Sequence, residues 1–135
     1  MQGVTDDPTA LLSLMPFAVA TGVVLDRAAH EEVAGHLPWA PERCTAGGLM
    51  HGGALMTLAD SVGAVCAFLN LPPGASTSTV ASSTALMRGV RGGSAHAVAR
   101  PRHAGRSFVT VLVEVTDDEG RPVAQVTQTQ AVLGG

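Results

Sequence analysis

The sequence predicts an α+β fold in which one long apolar helix is wrapped by a curved antiparallel sheet, with a short helix ahead of it. Three observations predict this. A single run, GALMTLADSVGAVCAFLNL from Gly53 to Leu71, is helical in its periodicity, and four β-type runs follow it in succession. The chain of 135 residues is long enough for a real core, and no repeat, low-complexity tract or composition break divides it. The expectation is one domain over residues 1–135, with its core at about 17–133.

The elements follow in order. PTALLSLM (8–15) reads as a short helix opened by Asp7 as N-cap, with Pro8 at its first position. FAVATGVVLDR (17–27) mixes Val and Thr as a strand does. HEEVAGHLPW (30–39) is a second strand, and the two form a hairpin. A loop rich in Pro, Glu and Gly over residues 40–50 leads to His51. From Gly53 to Leu69, Leu55, Leu58, Ala59, Val62, Val65, Cys66 and Leu69 keep helical spacing, while Met56, Ala64, Ala67 and Phe68 make the other sides apolar. A helix apolar all round is a buried one. After LPPGAS (71–76) come STVASSTALM, SAHAVARPRH, SFVTVLVEVTD and PVAQVTQTQAVL, separated by GVRGG, HAGR and DDEGRP. Four long strands with short turns predict an antiparallel meander.

Composition removes several functions. All eight basic residues are arginine, so a P-loop lysine, a Schiff-base lysine and a Ser-Lys dyad are excluded. No G-x-S-x-G occurs. The two cysteines, Cys44 and Cys66, lack disulfide or metal spacing, and the five histidines are scattered, so neither a metal nor a redox cofactor is expected. Cys66 among apolar neighbours reads as core. The N-terminal stretch lacks a basic start and a cleavage site, so a reducing cytoplasm is expected. Residues 53–71 nearly have the length to span a bilayer. Asp60 at its centre and the lack of flanking arginines argue against a membrane.

Charge is unevenly distributed. From Ser61 to Val113 there is no acidic residue, yet Arg88, Arg91, Arg100, Arg102 and Arg106 fall there with His96 and His103. These can be solvated strand faces and turns, which is where the two histidines are expected. They can also be a rim that grips phosphate or carboxylate with forked guanidiniums, a small phosphorylated ligand suiting the map best. Nucleic acid is not the expected anion: the net charge is −3, there is no zinc motif, and no aromatic residues interleave with the arginines for base stacking.

Asp60 is the anomaly. A mid-helix aspartate caps nothing and is a mediocre helix former. It belongs either to a reaction centre or to a buried polar network or subunit interface. The start of the same helix favours the first. His51-Gly52-Gly53 leaves unpaired amides at the positive end of the dipole, where an oxygen gaining negative charge can be held. Gly52 and Asp60 lie roughly 12 Å apart by helical rise, too far to act on one atom within one chain. A two-fold dimer can bring one subunit's Asp60 to the other's Gly52.

The string G-x-x-H-G-G-x-x-x-x-L-A-D from Gly48 to Asp60, with its apolar helix and four strands, resembles the hotdog-fold acyl-CoA thioesterases of the PaaI and 4-hydroxybenzoyl-CoA thioesterase type. The resemblance covers about residues 17–133. It implies dimers that commonly pair into tetramers, with sites at the subunit interface and no cofactor beyond the coenzyme A of the substrate. It implies Asp60 as nucleophile or general base, the Gly52 amide polarising the thioester carbonyl, and His51 shaping the loop or touching the thioester end. Two positions depart from the pattern. Thr45 stands where the family usually has Asn or Gln. Ala64 stands where some members carry a water-holding Thr. A hydroxyl from the following strand is the other solution; Thr79 is the first choice, with Ser78 and Ser82 as rivals. For the coenzyme A end the matching candidates are Gly53, Arg88, Arg102, Arg106 and Ser107.

The expected reaction is hydrolysis of an acyl-CoA thioester. A carrier-protein thioester is an alternative substrate. A non-catalytic acyl-CoA sensor or carrier would keep the arginines without needing Asp60. A hotdog dehydratase needs a His–acid pair that His51 and Asp60 do not form.

Overall fold

The computed structural model describes residues 7–134. The first six residues of the N-terminal stretch read above for a leader lie outside the described residues. Helix α1 (Pro8–Ser13) begins as expected, with the Asp7 carboxylate accepting from the Thr9 amide at 3.0 Å. The next segment differs from the expected strand. Pro16–Thr21 is a second short helix, α2, and the strand β1 begins only at Val24 (Val24–Ala29). Pro16 at the first helical position and Gly22 in the left-handed conformation just past the end (φ 105°) outweigh the β-branched Val19 and Thr21.

Strand β2 (Glu32–Pro38) completes the expected hairpin. Two 3-10 turns, Pro41–Arg43 and Ala46–Gly48, lie in the loop that follows, and α3 runs from Gly52 to Phe68. Strands β3 (Ala75–Leu86), β4 (Ser94–Ala104), β5 (Phe108–Thr116) and β6 (Pro122–Gly134) follow. All six strands form one antiparallel sheet in the order β1-β2-β4-β5-β6-β3. The expected four-strand meander is therefore only three strands, β4-β5-β6. The chain leaves α3 into β3, which pairs outside β6, and then crosses to β4 beside β2.

The inner face of the sheet carries Val33 and Leu37 on β2, Ala95, Ala97 and Ala99 on β4, and Val109, Val111, Val113 and Val115 on β5, all buried against α3. Small residues let the helix come close. A Cβ at Gly35 would lie 2.7 Å from the Val24 carbonyl oxygen and 3.0 Å from Val62. Close approach of backbones, rather than large rings, fills this core, which accounts for its scarcity of aromatics. No helix among the described residues is long and apolar enough to cross a membrane.

Candidate active site

The loop before α3 is clasped at several points. The Arg43 guanidinium donates to the Thr21 carbonyl through Nε and to the Pro38 carbonyl through Nη1 at 2.9 Å. The Arg43 carbonyl in turn accepts from the His51 amide at 2.8 Å, and Met50 donates to the Val90 carbonyl at 2.8 Å. His51 is thus delivered as N-cap of α3. Its Nδ1 accepts from the Gly53 amide at 2.8 Å, and its carbonyl accepts from Ala54 at 2.9 Å and Leu55 at 3.1 Å. An Nδ1 that accepts puts the ring proton on Nε2. The ring can fold back because Gly53 has no side chain: a Cβ there would sit 3.0 Å from Nδ1. Of the two glycine amides, the Gly53 N–H is consumed by the cap. The Gly52 N–H has no partner among the described residues and remains the free donor of the first turn.

The helix is not buried all round. Gly53, Met56 and Asp60, spaced three and four apart, form an exposed stripe. Two cavities lie along it and share Phe17, Gly53 and Thr57, so α2 walls both. One, of about 610 Å³, includes His51, Arg43 and Cys44. The other, of about 560 Å³, holds Asp60 among Met15, Phe17, Met56 and Ser82.

Asp60 is open to solvent on this cavity side, while the body of the protein packs its carboxyl from behind. That burial raises its pKa above the ordinary carboxylate value, and a hydrogen bond from Gln128 acts in the opposite direction. The bond runs from Gln128 Nε2 to Asp60 Oδ1 at 2.7 Å. Behind Gln128 stands a second amide. Gln130 Nε2 donates to Gln128 Oε1 at 2.9 Å and to Thr79 Oγ1 at 2.7 Å, and Gln130 Oε1 accepts from the Thr77 hydroxyl at 3.0 Å. Gln128 and Gln130 are 0% and 1% exposed. A buried amide left unpaired costs about 1–3 kcal/mol, so the two are tolerated only as a linked pair. Gly63 makes the room: a Cβ there would lie 2.8 Å from Gln128 Oε1.

The expected site residues fall in three places. His51, Gly52, Gly53 and Asp60 share the exposed stripe and the start of α3. Thr79 joins the amide chain through Gln130, whereas Ser82 lines the cavity with Asp60 and is the cross-strand partner of Gln128. Thr45 is exposed, caps a 3-10 turn without using its side chain, and lines neither cavity. The arginines divide. Arg88 lines a cavity of about 660 Å³ with Arg91, Arg121 and the acids 117–119. Arg102, Arg106 and Ser107 sit around the far β4–β5 hairpin, about 30 Å away along β4. Stretches free of acid in sequence are not so in space: Arg100 pairs with Glu32 at 2.8 Å and His96 with Asp118 at 2.6 Å. Arg88, Arg102 and Arg106 make no ion pair among the described residues. No cluster of three or more metal-ligating side chains occurs among the described residues.

Three residues escaped the sequence reading. Gln128 and Gln130 carried a usable signal, since they stand in phase with the inward Ala124 and Val126 of an alternating strand. The clasp by Arg43 carried none, because its partners are distant carbonyls.

The thioesterase superfamily model matches residues 47–124 of this chain. A Mycobacterium tuberculosis protein provisionally named an esterase is 29% identical over 128 residues, covering 93% of this chain and 91% of the other. The 1,4-dihydroxy-2-naphthoyl-CoA hydrolase of Escherichia coli is 30% identical over 86 residues, covering 64% of this chain and 63% of the other. Among solved structures, a mutant form of a Pseudomonas aeruginosa thioesterase superposes with a TM-score of 0.89 at 26% identity, covering 96% of this chain and 95% of the other. The helix-in-sheet architecture is the hotdog fold of these thioesterases.

Proposed function

The chain belongs to the thioesterase superfamily, and from that premise we propose that it hydrolyses acyl-CoA thioesters to a carboxylic acid and free coenzyme A. The observation that carries the reading is the Asp60 carboxylate: packed from behind, held through one oxygen and open to a cavity on the exposed stripe of α3. A carboxylate so placed can take the proton of an attacking water or attack the carbonyl carbon itself. The free Gly52 amide, at the positive end of the helix, suits the oxyanion of the tetrahedral intermediate. On the general-base route, collapse of that intermediate breaks the C–S bond and the proton taken from water returns to the departing thiolate. On the nucleophilic route the collapse leaves an acyl–Asp60 anhydride, which a water hydrolyses, one of its protons going to the thiolate. The chemistry needs no metal or redox cofactor.

The site is completed by a second copy of the chain. Asp60 and Gly52 sit roughly 12 Å apart on one helix, so the pair that meets one carbonyl comes from two protomers. The bare edge of β3 supports such pairing: 12 residues, ASTSTVASSTAL, without charge or proline to blunt it. The minimal unit is a homodimer, which pairs further into a tetramer. Arg88 from one protomer and Arg102, Arg106 and Ser107 from the other hold the nucleotide end of coenzyme A beside Gly53. The E. coli relative, named a hydrolase of an aryl-CoA, supports coenzyme A as the carrier.

Asp60→Asn tests this directly. Thiol release from a panel of aryl- and fatty acyl-CoAs is expected from the parent and lost from the variant, with the oligomer intact by sedimentation. A variant that turns over its best substrate at the parental rate rejects the mechanism. Binding without release by the parent across the whole panel identifies a sensor instead.

A further inference from the structure

We propose that Gln128 and Gln130 are positioning residues for the Asp60 carboxylate, an amide chain that holds Oδ1 and leaves Oδ2 as the oxygen presented to the substrate. The proposal rests on the reading of Asp60 as base or nucleophile, and it assigns roles to residues outside the G-x-x-H-G-G motif.

Direction is built into the chain. A carboxylate can only accept, so Gln128 must turn its NH₂ toward Asp60 and its carbonyl away. That carbonyl accepts from Gln130 Nε2 at 2.9 Å, which stops the Gln128 amide from flipping. Gln130 is fixed in its turn by two hydroxyls of opposite sense: Thr77 shares its one proton between Gln130 Oε1 at 3.0 Å and the Ala131 carbonyl at 2.8 Å, and Thr79 accepts from Gln130 Nε2. One line of donors runs from Thr77 on β3 through Gln130 and Gln128 on the buried face of β6 to the helix, while the second Gln130 N–H turns back to Thr79. Oδ1 receives the final bond at 2.7 Å, while Oδ2 accepts no hydrogen bond among the described residues. Nothing else near the carboxylate does this work. The cavity that holds Asp60 is lined from α2 and the preceding loop by Met15, Pro16, Phe17 and Ala18, and from β3 by Ser82, all uncharged. Its own helix contributes Gly53, Met56, Thr57 and Ser61, and β6 contributes only the Gln128 amide. Asp60 is thus the sole charged or titratable group lining that cavity among the described residues. Gly63, Val113 and Gln128 pack together behind it.

An amide that donates to a carboxylate favours its ionised form. Gln128→Met keeps the side-chain length and removes the donor. Its acid limb in the pH profile of kcat/KM is expected to move up by about one pH unit, a loss of about tenfold below the limb that shrinks as pH rises. Gln128→Glu keeps the shape and sets two carboxyls face to face, so its limb should move further. Gln130→Met should move it the same way by less. Residues with a merely structural role would lower the rate equally at all pH values. The ¹³C titration of the Asp60 carboxyl by NMR in the same variants reads the effect without any substrate. A midpoint and a limb that stay at the parental pH in both Gln128 variants overturn the proposal. If the NMR midpoint moves but Asp60→Asn retains full turnover, the amide chain stands and the catalytic reading of Asp60 fails.

Discussion

The two halves of β6 do different things with the same inward face. In its first half, Ala124 and Val126 pack on α3 with 3% and 2% exposure, and they continue the aliphatic surface of β4 and β5. In its second half the alternation continues unbroken, but the inward residues are Gln128 and Gln130, just as fully buried. One half stabilises by removing apolar area from water. The other buries two amides whose only net contribution is to each other, to two hydroxyls and to Asp60. A core that needed only stability would carry valines at 128 and 130 as β6 does on either side, at Val126 and Val132, so the two amides mark the stretch of β6 that serves the carboxylate.

The largest effect that separates the halves is on turnover. Asp60→Asn, at the end of the polar half, should cost on the order of 10²–10⁴ in kcat, the range for loss of a general base. The same variant should be more stable than the parent at neutral pH. Burial lifts the folded-state pKa of Asp60 above its ordinary value. Between the two values the folded chain holds a proton that the unfolded chain has released, so stability falls as pH rises through that window. Above it the deficit is constant, and Asn lacks it. Urea midpoints of the two proteins should therefore diverge above the window and converge below it. A parent more stable than the variant at pH 8 would mean that the carboxylate is held as a structural ion.

Val126→Ala probes the apolar half. Removing two buried carbons should cost about 1–3 kcal/mol, read as a lower denaturant midpoint, with the acid limb of the pH profile unchanged. Should that limb move as far as it does in Gln128→Met, the halves are not distinct and β6 acts on Asp60 as one rigid body. Gly63→Ala falls between the two. Its Cβ would meet Gln128 Oε1 at 2.8 Å and Val113 Cγ2 at 3.2 Å, but alanine gains about 1 kcal/mol of helix propensity over glycine. The opposing effects leave a net loss of about 1 kcal/mol. The displaced amide should lower kcat more than that figure suggests, a split that steady-state kinetics beside urea denaturation will show.

Much of this fold was legible because its signals are local or periodic. The long helix was placed to within a residue or two by the spacing of Leu55, Leu58, Val62 and Val65. The late strands were placed by alternation and by turns such as DDEGRP. What escaped was decided by geometry at a distance. Segment 16–21 carries strand-like residues, and only the pair of terminators Pro16 and Gly22 marks it as helix. The seat of β3 outside β6 depends on a crossover that no local pattern encodes. Asp60 stood out as an acid in an apolar run, but its exposed stripe could not be seen, because Gly53 and Met56 read as apolar whether or not anything covers them. Gln128 and Gln130 in QVTQTQ stand in phase with the inward Ala124 and Val126, but a buried amide is recognisable only once its hydrogen-bond partners on β3 and α3 are in place.

The smallest expected effect concerns Cys66, and it isolates what the amide chain adds. Cys66 and Asp60 are on one helix, and packing raises the pKa of both. For Cys66, at 0% exposure, burial acts alone and pushes the thiol up to about 12. For Asp60, the Gln128 donor opposes burial, so the carboxylate remains available as a base. At pH 8 a thiol of that kind is ionised at roughly one part in 10⁴. The native protein should therefore react with an aqueous thiol reagent only at the partly exposed Cys44, and at Cys66 only as fast as the molecule opens. Cys66→Ala should leave the pH profile of turnover unchanged. Labelling of Cys66 in the native protein at the rate of a free thiol would mean that the inner face of α3 breathes. The burial that sets Asp60 apart would then be too weak to need an opposing hydrogen bond.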